Sequence, residues 1–458
     1  MKSRIPKVLH RLCGTEMVRL VVDSATRSQL DQIVVVVGPD THRPVKDFLG
    51  DDVDYAVQQE ALGTGHALLQ AQPLLQGADH IVVLSADVPL IRPETIQELL
   101  RRHLDSDASV SLLTATPDDA SGLGRVVRDE SGSVSTIVEE AVADHTARAI
   151  REVNAGVYCF RSSWLWPNLG TLGPSANGEM FLTDLVSVAS RKGEVVESLQ
   201  TERGWEALGV NTKAQLAAAE AELRRQVRER WMLAGVTMVD PSTVYLDLAV
   251  ELDEDVILHP NTHIRGAARI GTGCEIGPNA TIDDSTIGAG SRVEGAVVES
   301  SVLEHEVTVG PFSHIRPGSH LESHVHVGSS AEIKASHLGA GTRCGHFSYI
   351  GNATIGTNVN IGAGTVTCNY DGTPTKKETM IGNDVLVGSG TMLVAPVQLS
   401  DRSETGAGAV VTRDVPPDTL VYGVPARAPV RGGLPDSDAS VPVTERADMA
   451  IARQSRKP

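Results

Sequence analysis

Two different spacings of apolar residues divide the chain near position 210. Before it, short apolar runs bounded by turn residues alternate with stretches of helical spacing. Ile33 to Val37, Ile81 to Leu84 and Val110 to Leu113 read as buried strands, and Arg92 to Leu104, entered through Pro93, reads as a helix. That alternation predicts an α/β unit. Lys213 to Leu233 is rich in Ala, Leu, Glu and Arg, with no Gly or Pro until Gly235, and predicts one long amphipathic helix linking two domains.

Beyond this helix the apolar period becomes six. Aliphatic residues fall at Leu252, Leu258, Ile264, Ile270, Ile276 and Ile282, and continue with small slips through Ile287, Val293, Val309, Ile315, Leu321, Val327, Ile333, Leu338, Ile350, Ile355 and Ile361. After one interruption they resume at Ile381, Val387, Leu393 and Leu399. Glycine often follows at once, as in Ile270-Gly271, Val327-Gly328 and Val387-Gly388. Each hexapeptide is then a short strand and a turn, its aliphatic side chain pointing into a stacked interior and its glycine placed where a Cβ would obstruct. Three such units close one coil of a parallel β-helix. The interruption, Ala363 to Met380, is polar and predicts a loop leaving the stack, where solenoids commonly build binding surfaces. The segment Gly432 to Pro458 has few aliphatics and predicts a disordered tail.

Composition sharpens this picture. The 458 residues include 43 glycines but only 3% aromatics, as a narrow column of stacked Ile, Val and Leu requires. A net charge of −18 disfavours phosphate backbones and anionic lipid, so nucleic acid and membrane surfaces are not expected partners. Apolar runs fall far short of the roughly 20 residues of a membrane span. The five cysteines are scattered without a CxxC pair, which argues against a disulfide framework or zinc knuckle and for a reducing, cytoplasmic setting.

Candidate chemistry lies at strand ends. Gln58 to Ala67, with Gly63 and Gly65 around Thr64, lets backbone N–H groups approach a nucleotide at a helix start, although a plain loop reads equally well. Asp87 follows the strand Ile81 to Leu84, where open α/β sheets bind ligands and a carboxylate can hold Mg²⁺; the alternative is an Asx turn before Pro89. Glu139, Asn154 and Asn211 are similar polar residues that turn chemistry also explains. In the second domain Arg316 and Lys334 are one coil apart, and His346 and Tyr349 fall within a coil of Lys334, so their side chains can converge on one groove. A lone His among 15 reads as a solvated turn residue, as His314, His320, His324, His326 and His337 do, but His346 has this set of neighbours.

Several motifs together resemble one family. Ile5-Pro6-Lys7-Val8-Leu9-His10, the Gln58 to Ala67 run, Ala86-Asp87-Val88-Pro89-Leu90, Glu152-Val153-Asn154-Ala155-Gly156, Gly209-Val210-Asn211 and the hexapeptides are similar to the bacterial bifunctional enzymes of UDP-N-acetylglucosamine synthesis. The resemblance covers nearly everything except the tail. It implies a Rossmann-like α/β nucleotidyltransferase domain at 1–211, a linker helix at 212–235 and an acetyltransferase domain at 236–431, a left-handed parallel β-helix that trimerises, with 432–458 as the tail. The implied activities are acetyl transfer from acetyl-CoA to glucosamine 1-phosphate and uridylyl transfer from UTP to N-acetylglucosamine 1-phosphate.

Carried over by position, the resemblance puts the uridine contacts on Gln58, Gly63 and Thr64, and a phosphate-contacting cation on Lys7. Sugar contacts fall on Gly124, Glu139 and Asn154, and Mg²⁺ ligands on Asp87 and Asn211. The catalytic base falls on His346, with Glu332 expected to orient or polarise it. Arg316, Lys334, Tyr349 and Asn360 fall on the aminosugar phosphate side, and Ala363, Asn369, Tyr370, Ser389 and Ala407 on acetyl-CoA. A family Arg for the CoA phosphates corresponds here to Gly423, with Arg427 as its substitute. Ser85-Ala86 also departs from the usual residues before Asp87. The family opens with a strand and a Gly-rich phosphate loop ending Gly-Thr-Arg-Met, and this sequence starts at what looks like that Met. The first unit is therefore expected to lack its first strand, through a late start assignment or damage. The alternative functions are acetyl transfer alone, a non-catalytic β-helix scaffold, or a nucleotidyltransferase acting on glucose 1-phosphate.

Overall fold

The computed structural model describes residues 1–173 and 178–428; the expected tail at 432–458 lies outside the described residues. Two compact units divide within the linking helix, between Leu223 and Arg224.

In the first unit β-branched runs build the strands. Val110–Ala115, buried at every position, pairs in parallel with Val196–Thr201 and antiparallel with the nine-residue strand Val153–Arg161. His80–Leu84 lies against the same long strand, also antiparallel, and Arg125–Arg128 with Val134–Val138 completes a mixed six-stranded sheet. Helix Pro93–Asp105 starts with proline at its first position and Glu94 in its first turn, and carries Arg102 and His103 in its last, which complements the helix dipole. A second, parallel pair joins Val34–Val37 to Asp54–Val57. Among the described residues no ladder connects Val34–Val37 to His80–Leu84, so the sheet is in two pieces.

The linking helix spans Lys213–Leu233. Only Ala219 and Val227 are fully buried along it, so the amphipathic face expected from sequence is narrow.

The second unit is a parallel β-helix of three sheets with 11, 10 and 9 strands. Outside the first coil and the interruption, pairing partners lie 16 to 18 residues apart, as in His263↔Thr281↔Val297↔His314. Every aliphatic position of the six-residue series is buried in one continuous core, whose buried members include no aromatic ring. Each fully buried Ile, Val or Leu contributes about 1.5–3 kcal/mol of transfer free energy. The glycines after them serve close coil approach more than backbone freedom: a Cβ on Gly328 would lie 2.1 Å from the Gly345 carbonyl oxygen. Many turns that need a left-handed backbone instead use Asn or Asp, including Asn279, Asn352, Asn358 and Asp384.

The interruption is shorter than the sequence predicts. Val366–Cys368 remains a strand of the stack, paired on Tyr349 below and Met392 to Val394 above, and Thr379–Ile381 rejoins it. The loop occupies only the residues between, and Ala353 pairs with Thr379, 26 positions on instead of the usual 16 to 18. The coil continues because Thr365 and Thr367 are buried where the series otherwise has aliphatic residues, and the chain leaves the stack only beyond the buried Asn369.

Candidate active sites

In the first unit the expected residues form three polar groups. Lys7, in the short turn of 3-10 helix Lys7–Leu9, extends its ammonium to Asp87 Oδ2 at 2.6 Å and Asn211 Oδ1 at 2.8 Å. The backbone closes this group, since Val210 N–H donates to the Asp87 carbonyl at 2.8 Å. The Asp87 carboxylate thus faces a cation and does not form an Asx turn. Two oxygen donors converging on one positive charge are also a donor set that suits a hard divalent ion.

The second group joins Gly124, Glu139 and Asn154. Asn154 N–H donates to the Gly124 carbonyl at 2.9 Å, and a Cβ on Gly124 would stand 3.5 Å from Glu139 Oε2. Glu139 accepts from the Thr183 hydroxyl, and the Asn154 amide donates to the buried Tyr158 hydroxyl at 2.6 Å. Burial pushes that phenol well above its ordinary range, so it stays protonated. Ser85, in the Ser85-Ala86 pair that departs from the family pattern, donates to the Gly156 carbonyl and ties the turn before Asp87 to the strand carrying Asn154.

The third group is the loop between strand Asp54–Val57 and helix Thr64–Ala71. Gln58 Nε2 donates to the Gly63 carbonyl at 3.1 Å and faces His66 Nδ1 at 3.0 Å. Gly63 has φ +98, and a Cβ there would meet the Met180 carbonyl oxygen at 2.5 Å. The Thr64 hydroxyl accepts from Leu182 N–H at 3.0 Å, so its oxygen helps to fix this loop against the 180–182 segment. No hydrogen bond joins the three groups directly among the described residues.

In the second unit, coil register does the assembling. Arg316 pairs in register with Lys334, and Lys334 with Gly351, while Glu332 pairs with Tyr349. Arg316 Nη1 donates to Glu332 Oε1 at 2.7 Å, which raises the guanidinium pKa further. Glu332 is therefore engaged by Arg316, and among the described residues it makes no hydrogen bond to His346, the residue it was expected to orient. His346 is exposed at a corner of the prism, opposite Ser329 in register. It lies near His326, which burial and then Arg343 and His346 push below the ordinary histidine range.

The corner of His346 continues upward through several expected cofactor positions. Gly364 N–H donates to the His346 carbonyl, Gly390 N–H to the Ala363 carbonyl and Gly408 N–H to the Ser389 carbonyl. His346, Ala363, Ser389 and Ala407 therefore mount one edge of successive coils, and the Thr405↔Val421 pairing brings Gly423 to the same edge. Arg427 is exposed nearby, its backbone paired with Tyr422. Asn360 is exposed, in register with Arg343 and Leu386.

Asn369 and Tyr370 sit at a different corner and do different things. Asn369 is buried at 5% exposure; its amide donates to Asn352 Oδ1 at 2.9 Å, and its carbonyl accepts from Lys377 N–H at 2.9 Å. It ties the loop shut. Tyr370 is exposed, with the Lys376 ammonium 3.5 Å from its ring centroid. Beneath them a Cβ on Gly351 would lie 2.6 Å from the Tyr349 hydroxyl and 2.7 Å from Asn369 Nδ2.

Sequence reasoning gave no role to His66, Tyr158, Gly351 or Asn352. For Asn352 a signal was present, an Asn directly after Ile350-Gly351 where a left-handed residue turns the coil. For His66 and Tyr158 there was none, because their partners are set by the loop and strand geometry.

Comparison with known proteins agrees with the two architectures. Residues 2–225 match the nucleotidyl transferase family model, and residues 250–284 match the bacterial transferase hexapeptide model of six repeats. The chain is 44% identical over 424 residues to the bifunctional protein GlmU of Heliobacterium modesticaldum, covering 92% of each chain. It is 42% identical over 421 residues to GlmU of Desulfitobacterium hafniense, again 92% of each, and 42% identical over 436 residues to GlmU of Geotalea uraniireducens, 94% of each. With both architectures present in order and such identity along both, this chain belongs to the bifunctional GlmU family.

Proposed function

We propose that the two units catalyse successive steps toward UDP-N-acetylglucosamine. In the second, the amine of glucosamine 1-phosphate attacks the thioester carbonyl of acetyl-CoA; a C–N bond forms, the C–S bond breaks and CoA leaves as the thiol. His346 takes the ammonium proton, work suited to an imidazole near neutral pH. Arg316 and Lys334, in register on adjacent coils, hold the sugar phosphate with Tyr349 and Asn360, while Ala363, Ser389 and Ala407 line the cofactor edge and Arg427 serves the CoA phosphates. Asn369 and Tyr370 act on acetyl-CoA through the loop. The observation that carries this reading is the vertical alignment of the candidate base with the cofactor positions along one corner.

In the first unit an oxygen of N-acetylglucosamine 1-phosphate attacks the α-phosphorus of UTP in line, and the bond to the β-phosphate oxygen breaks to release pyrophosphate. Gln58, Gly63 and Thr64 hold the uridine side, Gly124, Glu139 and Asn154 the sugar, and Lys7 a phosphate. Asp87 and Asn211, with oxygens 2.6 and 2.8 Å from one cationic nitrogen, fit Mg²⁺. Held by these two oxygens, such an ion would supply charge neutralisation for the triphosphate.

The same reading places the enzyme in the cytoplasm as a homotrimer, with small molecules as its partners and neither nucleic acid nor membrane among them. The net charge of −18 supports this, and no helix among the described residues is long and apolar enough to cross a membrane. A three-sided column has flat faces to pair, and an outward loop can complete a neighbour's groove. The test is a paired assay on this chain: CoA release from acetyl-CoA with glucosamine 1-phosphate, and pyrophosphate release from UTP with N-acetylglucosamine 1-phosphate. Both products are expected. CoA release alone leaves an acetyltransferase only, and absence of both overturns the proposal.

A further inference from the structure

The side chain of Gln58 is oriented by two neighbours. The Gly63 carbonyl can only accept, so the end of the Gln58 amide at 3.1 Å from it is the NH₂. The same nitrogen stands 3.0 Å from His66 Nδ1, which must then be the unprotonated ring nitrogen and an acceptor. The ring proton then lies on Nε2, 3.2 Å from the Gln70 amide nitrogen, which also donates to the His66 carbonyl at 3.3 Å and gives up that contact when Gln70 turns its oxygen to the ring. Both hydrogens of the Gln58 NH₂ are thereby used, and Gln58 Oε1 has no hydrogen-bond partner among the described residues. The adjacent Gly63 N–H has none either. A free acceptor and a free donor thus belong to one half-buried loop, in two residues joined by the Gln58 Nε2 to Gly63 carbonyl hydrogen bond. They match the N3–H and a neighbouring carbonyl of uracil; cytosine carries no hydrogen on N3 and leaves Oε1 unanswered, at the cost of an unpaired polar group.

We infer that His66 is a positioning residue for base selection: by accepting from the Gln58 amide nitrogen, it keeps the Gln58 carbonyl oxygen turned toward the nucleotide and so favours a pyrimidine with N3–H over one without. This rests on the proposal that Gln58 faces the uracil. His66 itself touches no substrate. Loss of its acceptor leaves Gly63 as the single restraint, and the Gln58 amide gains the freedom to present NH₂ to the base, which cytosine tolerates.

The experiment measures binding of UTP and CTP to the full chain by equilibrium dialysis, for the natural protein, His66→Leu and His66→Asn, with acetyl transfer by the second unit as a check that each variant chain is intact. Expected is a UTP-over-CTP preference that falls on the order of 3–10-fold in His66→Leu, the size of one hydrogen bond, and returns in His66→Asn, whose side-chain oxygen can again accept. An unchanged preference in His66→Leu, or equal losses of UTP and CTP in both variants, overturns the inference while leaving the uridine reading in place. If the natural chain shows no preference for UTP, the placement of Gln58 against the base fails and the inference falls with it.

Discussion

Acid should weaken the first unit through a histidine with no part in the proposed reaction. His103, in the last turn of helix Pro93–Asp105, has no solvent exposure. Its Nδ1 lies 2.8 Å from the Ser111 hydroxyl and its Nε2 3.1 Å from His80 Nδ1, with the two rings edge-on. Burial first, then the neighbouring His80 and Arg161, lower its pKa from 6.5 to about 4. The unfolded chain takes up this proton below pH 6.5, whereas the folded unit resists until about pH 4. Over that window the unfolded state binds more protons, so stability falls as pH falls and levels off below it. A gap of about 2.5 pKa units at about 1.36 kcal/mol each makes this group worth about 3 kcal/mol. His103→Gln removes the titration and adds a pH-independent packing cost. Urea unfolding followed by tryptophan fluorescence suits the test, because three of the four tryptophans, Trp164, Trp166 and Trp205, lie in the same unit. Between pH 7.5 and 4 the natural chain should lose about 3 kcal/mol more than the variant. Parallel stability curves for the two proteins would refute the reasoning, since every other titrating group is common to both.

Two further outcomes concern the β-helix. His346→Gln should lower acetyl transfer by about 10²- to 10⁴-fold while pyrophosphate release is unaffected, measured in the same paired assay; comparable losses in both activities would mean that the variant is misfolded or that His346 is not the base. Gly351→Ala forces a Cβ within 2.6 Å of the Tyr349 hydroxyl and 2.7 Å of Asn369 Nδ2, so both side chains must shift. It should cost about 1–3 kcal/mol of stability and raise KM for glucosamine 1-phosphate more than it lowers kcat; steady-state kinetics with unchanged KM would show that Tyr349 does not face the aminosugar.

Much of the second unit was legible before any coordinates. A six-residue aliphatic period leaves little choice, because side chains at that spacing meet only if the backbone closes into stacked coils, and the series from Leu252 to Leu399 is buried throughout. The 18-residue step from Arg316 to Lys334 translated directly into register. The first unit was less legible. The strands Val110–Ala115 and His80–Leu84 and the helix Pro93–Asp105 stood out by apolar runs and a start signal, but the antiparallel course of Val153–Arg161 between strands is a long-range pairing that no local pattern records.

Sequence by itself therefore determined the class of each unit and the order of the two, because those follow from periodicity, and through its motifs it nominated the residues proposed to carry the chemistry. Only the tertiary structure decided who faces whom: Glu332 toward Arg316 instead of His346, Asn369 inward to lock its loop, Lys7 across two oxygens from Asp87 and Asn211, and His66 behind Gln58. Such pairings depend on angles and rotamers fixed by the packing of distant segments, and residue spacing along a chain carries no direction for a side chain once the backbone turns.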